Sequence, residues 1–136
     1  VGAMTGAETG VLLHLLDLGL VPVVTPLAEG PTGEHLNVNA DSAAAYAAIA
    51  LQAEELLFVT NVKGIMKDGV VLESTTKSDI DRMIEDGTIY GGMIPKVKGA
   101  LNALESGIGA VRIVSGQDAV WSSGSFSGTA IKKEEK

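Results

Sequence analysis

Lys96 stands in "GGMIPKVKGAL", four residues beyond the second of two adjacent glycines, Gly91 and Gly92, in what reads as the first turn of a helix. That end carries the positive pole of the helix dipole, where a cation costs stability. Helix N-termini bind phosphate through backbone N–H groups, and glycine lets a backbone approach a ligand closely. A full positive charge among those groups would stabilise a transferring phosphoryl group. Lys96 is thus poorly placed for its helix and well placed for an anion. The competing reading is a solvated lysine after a turn, with Lys98 nearby on the same helix.

Two further stretches sit where loops feed from strands into helices, the rim at which open α/β sheets bind ligands. In "NVNAD", residues 37–41, Asn37 and Asn39 alternate along an extended segment and can offer amides to one side. Asp41, as an isolated aspartate before a helix, reads first as its cap. In "TNVKG", Thr60 and Asn61 end a buried strand and Gly64 permits a sharp turn. A plain strand exit explains them, and a nucleotide would use the same features to seat its base. Elsewhere the chemistry thins out. Gly2, Gly6 and Gly10 are evenly spaced but match no phosphate-loop fingerprint. His14 and His35 lack ligand spacing and read as structural, so no metal site is expected. Trp121 and Phe126 read as plugs at the edge of the core.

These stretches need a frame. "TGVLLHLLDL", residues 9–18, reads as a largely buried helix with Gly19 after it. "LVPVVTPL" reads as a strand, and "AEGPTGEH" as the turn of a small hairpin. "SAAAYAAIAL" has high helix propensity and little bulk, so it can lie close to a sheet. "EELLFVTNV" is a strand whose apolar run is nearly continuous, as when both faces are covered. Asp68-Gly69 signals a hairpin. "TTKSDIDRMIEDG" is a capped amphipathic helix with Ile80, Met83 and Ile84 inward, stopped at Gly87. Pro95–Ser106 forms the next helix, with Val97, Leu101 and Leu104 inward. "AVRIVSG" and "GTAI" are the last strands. Strands alternating with helices predict a three-layer αβα domain on a mainly parallel sheet.

Bulk numbers narrow the partners. The 136 residues predict a single domain, 1–136, with 132–136 fraying, and a net charge of -7 argues against nucleic acid or an anionic membrane. No cysteine is present, which removes thiolate catalysis and cysteine-ligated zinc. No apolar run reaches the roughly 20 residues that span a bilayer, so a soluble protein is expected. The chain opens at Val1 without a signal-peptide pattern.

Together, "LNVNADSAAAYAAIA", "LLFVTNVKGIMKDG", "IEDGTIYGGMIPKVKGALNAL" and "VRIVSG", followed by "GTAI", resemble the amino acid kinase family. The likeness runs from Leu16 onward, and its acetylglutamate-phosphorylating branch matches best. The resemblance implies transfer of the γ-phosphoryl of ATP to the side-chain carboxylate of N-acetyl-L-glutamate, in arginine biosynthesis and in the cytoplasm, with Mg2+ held mainly by the nucleotide. It implies that Lys96 stabilises the transferring group, that Asp41 holds catalytic lysines in position, and that Asn37, with Asn39 beside it, meets the acetylated amino acid. Thr60, Asn61, Val62, Lys63, Gly64, Ile65 and Met66, with Thr88, Ile89, Tyr90, Gly92 and Met93, would line the ATP/ADP site. Family members more often carry aspartate where Asn61 stands. The family's N-terminal half, with its glycine-rich loop, second lysine and most of the acceptor pocket, is not found here, and a homo-oligomer is expected at full length. A sister kinase acting on N-acetyl-aminoadipate, aspartate or a carbamate, or a non-catalytic nucleotide-binding module, remains an alternative. A carboxylate acceptor is already ionised at neutral pH, so lysines and magnesium, without a general base, suit the reaction.

Overall fold

Small residues decide how closely the helices approach the sheet. In the computed structural model, which describes residues 2–134 apart from Ala119 and Ser123, helix α2 (Ala40–Leu51) and helix α4 (Met93–Glu105) cross a central sheet side by side. Ala45, Ala48, Ala100 and Ala103 are buried along them. A Cβ on Gly99 of α4 would stand 3.2 Å from Phe58 Cζ, 3.6 Å from the Asp41 carbonyl oxygen and 3.8 Å from Ala45 Cβ. Only glycine keeps that seam this tight.

The central sheet is four-stranded and ordered β3–β7–β10–β6. Its strands are β3 (Glu55–Thr60), β6 (Ser74–Thr75), β7 (Ala110–Ser115) and β10 (Thr129–Ile131). β3 and β7 pair in parallel, with Leu56 opposite Val111 and Phe58 opposite Ile113. β10 runs antiparallel to β7 and parallel to β6, so the sheet is mixed but mostly parallel. Phe58, Val111 and Ile113 meet Val97 and Leu104 of α4, together with Ile80 and Met83 of α3 (Lys77–Glu85), in one core. α3 starts at Thr76, whose hydroxyl accepts from the Asp79 N–H, and stops before Gly87 at φ 79°. Both ends follow the predicted cap and stop.

Small hairpins decorate this frame. β1 (Leu27–Glu29) pairs with β2 (His35–Asn37), and β4 (Met66–Lys67) with β5 (Val70–Val71) through Asp68 and Gly69 at φ 51° and 79°. Those angles give the primed turn that the Asp-Gly pair predicts. β8 (Trp121–Ser122) pairs with β9 (Ser125–Phe126).

Four expectations need correction. Helix α1 (Gly10–Asp17) has no buried residue, and Val11, Leu13 and Leu16 are exposed. Its apolar surface predicts a covering element that the described residues do not supply. Residues 20–26 form no strand: only their ends make backbone bonds to neighbouring chain, Leu20 to Leu15 and Pro26 to Val38, and Val21 and Val23 between them are 86% and 95% exposed. In β3, Leu56 and Phe58 are buried while Val59 is exposed, so the continuous apolar run is not covered equally on both faces. Trp121 does not plug the core: it is exposed, with its ring edge-on to Phe126 at 4.9 Å. At the C-terminus, the Lys132 N–H donates to the Thr75 carbonyl and Glu134 Oε1 accepts from the Ser78 N–H, while Glu135 and Lys136 lie outside the described residues.

Candidate functional site

Two helix N-termini and one strand end converge on a cavity of about 590 Å3. The strand is β3, whose parallel partner β7 carries its own exit to the same rim, with Thr60 opposite Ser115. Thr60, Asn61 and Val62 leave that rim, and Gly64, Ile65 and Met66 return along the start of the β4–β5 hairpin. The far wall is the turn from Thr88 to Gly92, together with Met93, Pro95 and Lys96 at the start of α4. Asn39 and Asp41 complete the lining from the start of α2.

Lys96 Nζ donates to both oxygens of Asp41, at 2.7 and 3.0 Å. The two side chains are 22% and 20% exposed, so the pair is sheltered but open to the cavity. Each group lies in the first turn of its helix. The dipole of α2 favours the Asp41 carboxylate, and the dipole of α4 opposes the Lys96 ammonium. Asp41 thus anchors a cation that its own helix would reject.

The cap of α2 is Asn39 and not Asp41. Asn39 Oδ1 accepts from the Ser42 N–H at 3.0 Å, which leaves the aspartate available for Lys96. The start of α4 also differs from expectation. The helix begins at Met93, two residues before Pro95, and the N–H groups of Met93 and Ile94 donate to the Tyr90 and Gly91 carbonyls. Those two donors are therefore already engaged, and Lys96 is the cationic group at this wall. Gly91 takes φ 56°, the left-handed geometry that glycine accepts without strain. Ahead of it, the Thr88 N–H donates to Asp86 Oδ1, and the hydrogen bonds from Thr88 hold the Asp86 carboxyl below its ordinary pKa.

Of the residues singled out from sequence, Asn39, Asp41, Thr60, Asn61, Val62, Gly64, Ile65, Met66, Thr88, Ile89, Tyr90, Gly92, Met93 and Lys96 share this cavity. Asn37 and Lys63 are exposed and outside its lining. The extended run continues through Val38 to Asn39, but the Asn39 side chain is spent on capping α2, so the two amides do not act as a pair. Pro95 lines the cavity without having been marked for it. Among the described residues, no group of three or more His, Asp and Glu side chains could hold a metal ion, and His14 and His35 are both exposed.

The cavity is amphipathic. Ile65, Ile89, Tyr90 and Met93 give an apolar lining suited to a flat ring, and the Lys96–Asp41 pair supplies charge where α2 and α4 begin. Known proteins share this arrangement of chain. The profile of the amino acid kinase family matches residues 1–115. The acetylglutamate kinase of Geobacillus kaustophilus (strain HTA426) is 46% identical over 98% of this chain and 52% of its own length. The smu.665 protein of Streptococcus mutans UA159 superposes with a TM-score of 0.83 at 33% identity, covering 94% of this chain and 49% of that one. Carbamate kinase from Giardia lamblia, solved bound to AMP-PNP, superposes with a TM-score of 0.74 at 25% identity over 94% of this chain and 45% of its own. The chain spans about half the length of the curated relatives it matches. It belongs to the amino acid kinase family.

Proposed function

We propose that this chain supplies the nucleotide-binding half of an acetylglutamate kinase, which transfers the γ-phosphoryl of ATP to the side-chain carboxylate of N-acetyl-L-glutamate. The observation that carries the reading is the Lys96 ammonium, fixed by Asp41 at a cavity that also carries an apolar lining. An adenine ring would lie against Ile65, Ile89, Tyr90 and Met93, with Thr60 and Asn61 at its polar edge. The triphosphate would extend toward α4, where Lys96 meets the γ-phosphoryl oxygens.

Phosphoryl transfer is mostly a matter of position and charge. The acceptor carboxylate attacks phosphorus as the bond to the β-phosphate oxygen breaks, and ADP leaves with that electron pair. Lys96 lowers the repulsion between two anions and follows the charge on the equatorial oxygens. Asp41 touches Lys96 and serves as a positioning residue, holding a flexible side chain that carries about 2 kcal/mol of rotamer entropy. Mg2+, when bound, neutralises phosphate charge. Asp41, the only carboxylate lining the cavity among the described residues, is engaged with Lys96, so the phosphate oxygens would hold the ion. On this reading Asn39 would meet the acceptor, and the cytoplasm, where ATP is kept, would be the matching compartment.

Calorimetric titration of ADP and ATP against the chain tests the nucleotide site. Saturable binding is expected, and heat without saturation would sink the proposal. The likeness to carbamate kinase keeps a sister activity as the second reading. Acyl phosphate trapped by hydroxylamine from a form of the protein as long as its relatives, acceptor by acceptor, separates the two.

A further inference from the structure

Thr129 is completely buried in β10, and its hydroxyl does two things at once. It accepts from the Ile65 N–H at 2.8 Å and donates to the Leu72 carbonyl at 2.7 Å. Ile65 and Leu72 are the next pair in the β4–β5 hairpin, beyond Met66 with Val71 and Lys67 with Val70. One bond of that pair is direct, since the Leu72 N–H donates to the Ile65 carbonyl at 2.9 Å. The other passes through the Thr129 hydroxyl, which stands between the two strands. The Thr129 side chain thus fastens the hairpin itself to the central sheet, and the backbone ladder between β10 and β6 takes over just beyond it, where the Ala130 N–H donates to the Glu73 carbonyl at 2.9 Å.

Gly64 records the same insertion. It takes φ 150°, and a Cβ there would stand 2.6 Å from Thr129 Oγ1 and 3.2 Å from the Thr129 nitrogen. The residue before Ile65 is thus kept free of a side chain so that the hydroxyl can reach the Ile65 amide. Gly64, Ile65 and Met66 all line the cavity.

We infer that Thr129, which lies outside the cavity, is a positioning residue for the nucleotide: through Ile65 it fixes the apolar wall against which the base would stack. This rests on the nucleotide reading above. No other hydrogen bond from β10 reaches the hairpin among the described residues, and an apolar replacement of equal shape leaves both the Ile65 N–H and the Leu72 carbonyl without their partner.

The test compares Thr129→Val, which keeps the volume, with Thr129→Ser, which keeps the hydroxyl, and with Val111→Ala, which lowers stability within the core away from the hairpin. ADP affinity is read by calorimetry at a temperature where urea titration shows each variant folded. Thr129→Val should weaken ADP binding tenfold or more, Thr129→Ser should restore it to within about threefold, and Val111→Ala should bind like the unchanged chain. Equal affinity for Thr129→Val and the unchanged chain overturns the inference, and so does an equal loss in Val111→Ala. Should Thr129→Val fail to fold, hydrogen exchange on the unchanged chain decides the matter. The Ile65 amide should be protected as strongly as amides of β7, and exchange at a loop's rate overturns the role. If the unchanged chain binds no ADP while the Ile65 amide is protected, the nucleotide reading fails and the anchoring geometry survives it.

Discussion

Neutralising Asp41 should destabilise the fold more than neutralising Lys96, although each substitution breaks the same pair. The contacts at 2.7 and 3.0 Å are lost in both single variants and cancel when the two are compared. The helix dipoles do not cancel. Asp41→Asn forfeits a favourable interaction at the start of α2 and leaves the Lys96 ammonium unpaired at the positive end of α4. Lys96→Met removes a charge that α4 opposes. Each dipole contribution is about 0.3–1 kcal/mol, so the variants should differ by their sum, about 0.6–2 kcal/mol. With side chains near one-fifth exposed, salt screens this difference only in part. Urea unfolding of the two single variants and the double variant at pH 7, with a shared m-value, measures the difference and closes the cycle. If Lys96→Met proved as destabilising as Asp41→Asn, Lys96 would be a residue kept for folding, and the dipole reasoning would be refuted.

In a form of the protein as long as its relatives, Lys96→Ala should lower kcat by about 100-fold or more, and normal turnover would contradict its proposed contact with the phosphoryl group. Gly99→Leu should cost about 1–3 kcal/mol, because its Cβ already meets Phe58 Cζ at 3.2 Å; an unchanged melting temperature by circular dichroism would count against the seam. Asp79, Asp86 and Glu134 are each held below their ordinary pKa, chiefly by hydrogen bonds from Thr76, Thr88 and Ser78 respectively. A carboxylate depressed in the folded state contributes stability above its unfolded pKa and loses it as pH falls through the folded one. The urea midpoint should therefore hold from pH 7 to about 5 and decline below about 4, and Asp86→Asn should flatten the decline.

The site was more legible in the sequence than the surface around it, for a physical reason. Gly91, Thr76, Asp68-Gly69 and Gly87 act on the backbone within a few residues, so their types alone fix turns, caps and helix ends. The convergence of three loops followed from strand and helix alternation, which places parallel strand ends on one rim. Burial of α1 was not legible, because an apolar helix surface states that a partner is needed and not which element provides it. The valines of residues 20–26 show the same limit: β propensity without a neighbouring strand leaves the backbone unpaired. Thr129 gave no local sign at all. A lone threonine in "GTAI" is an ordinary strand residue until the fold brings it 64 positions back to the Ile65 amide.

The helix seam joins these pieces. Lys96 and Gly99 lie about one turn apart on α4, so the glycine that lets the helix settle onto Phe58 also places the ammonium beside the first turn of α2. A Cβ at position 99 would reach ordinary contact with the Asp41 carbonyl oxygen at 3.6 Å and crowd Phe58 Cζ at 3.2 Å, so the glycine lets α4 lie against both. The approach that brings Lys96 to Asp41 is thus supported by packing of the neighbouring turn as well as by the pair itself. At the apolar lining, Thr129 holds Ile65 from outside the cavity. Gly99 and Thr129, which would never touch nucleotide, support groups proposed to touch it, one by lacking a side chain at a close approach and the other by a buried hydroxyl.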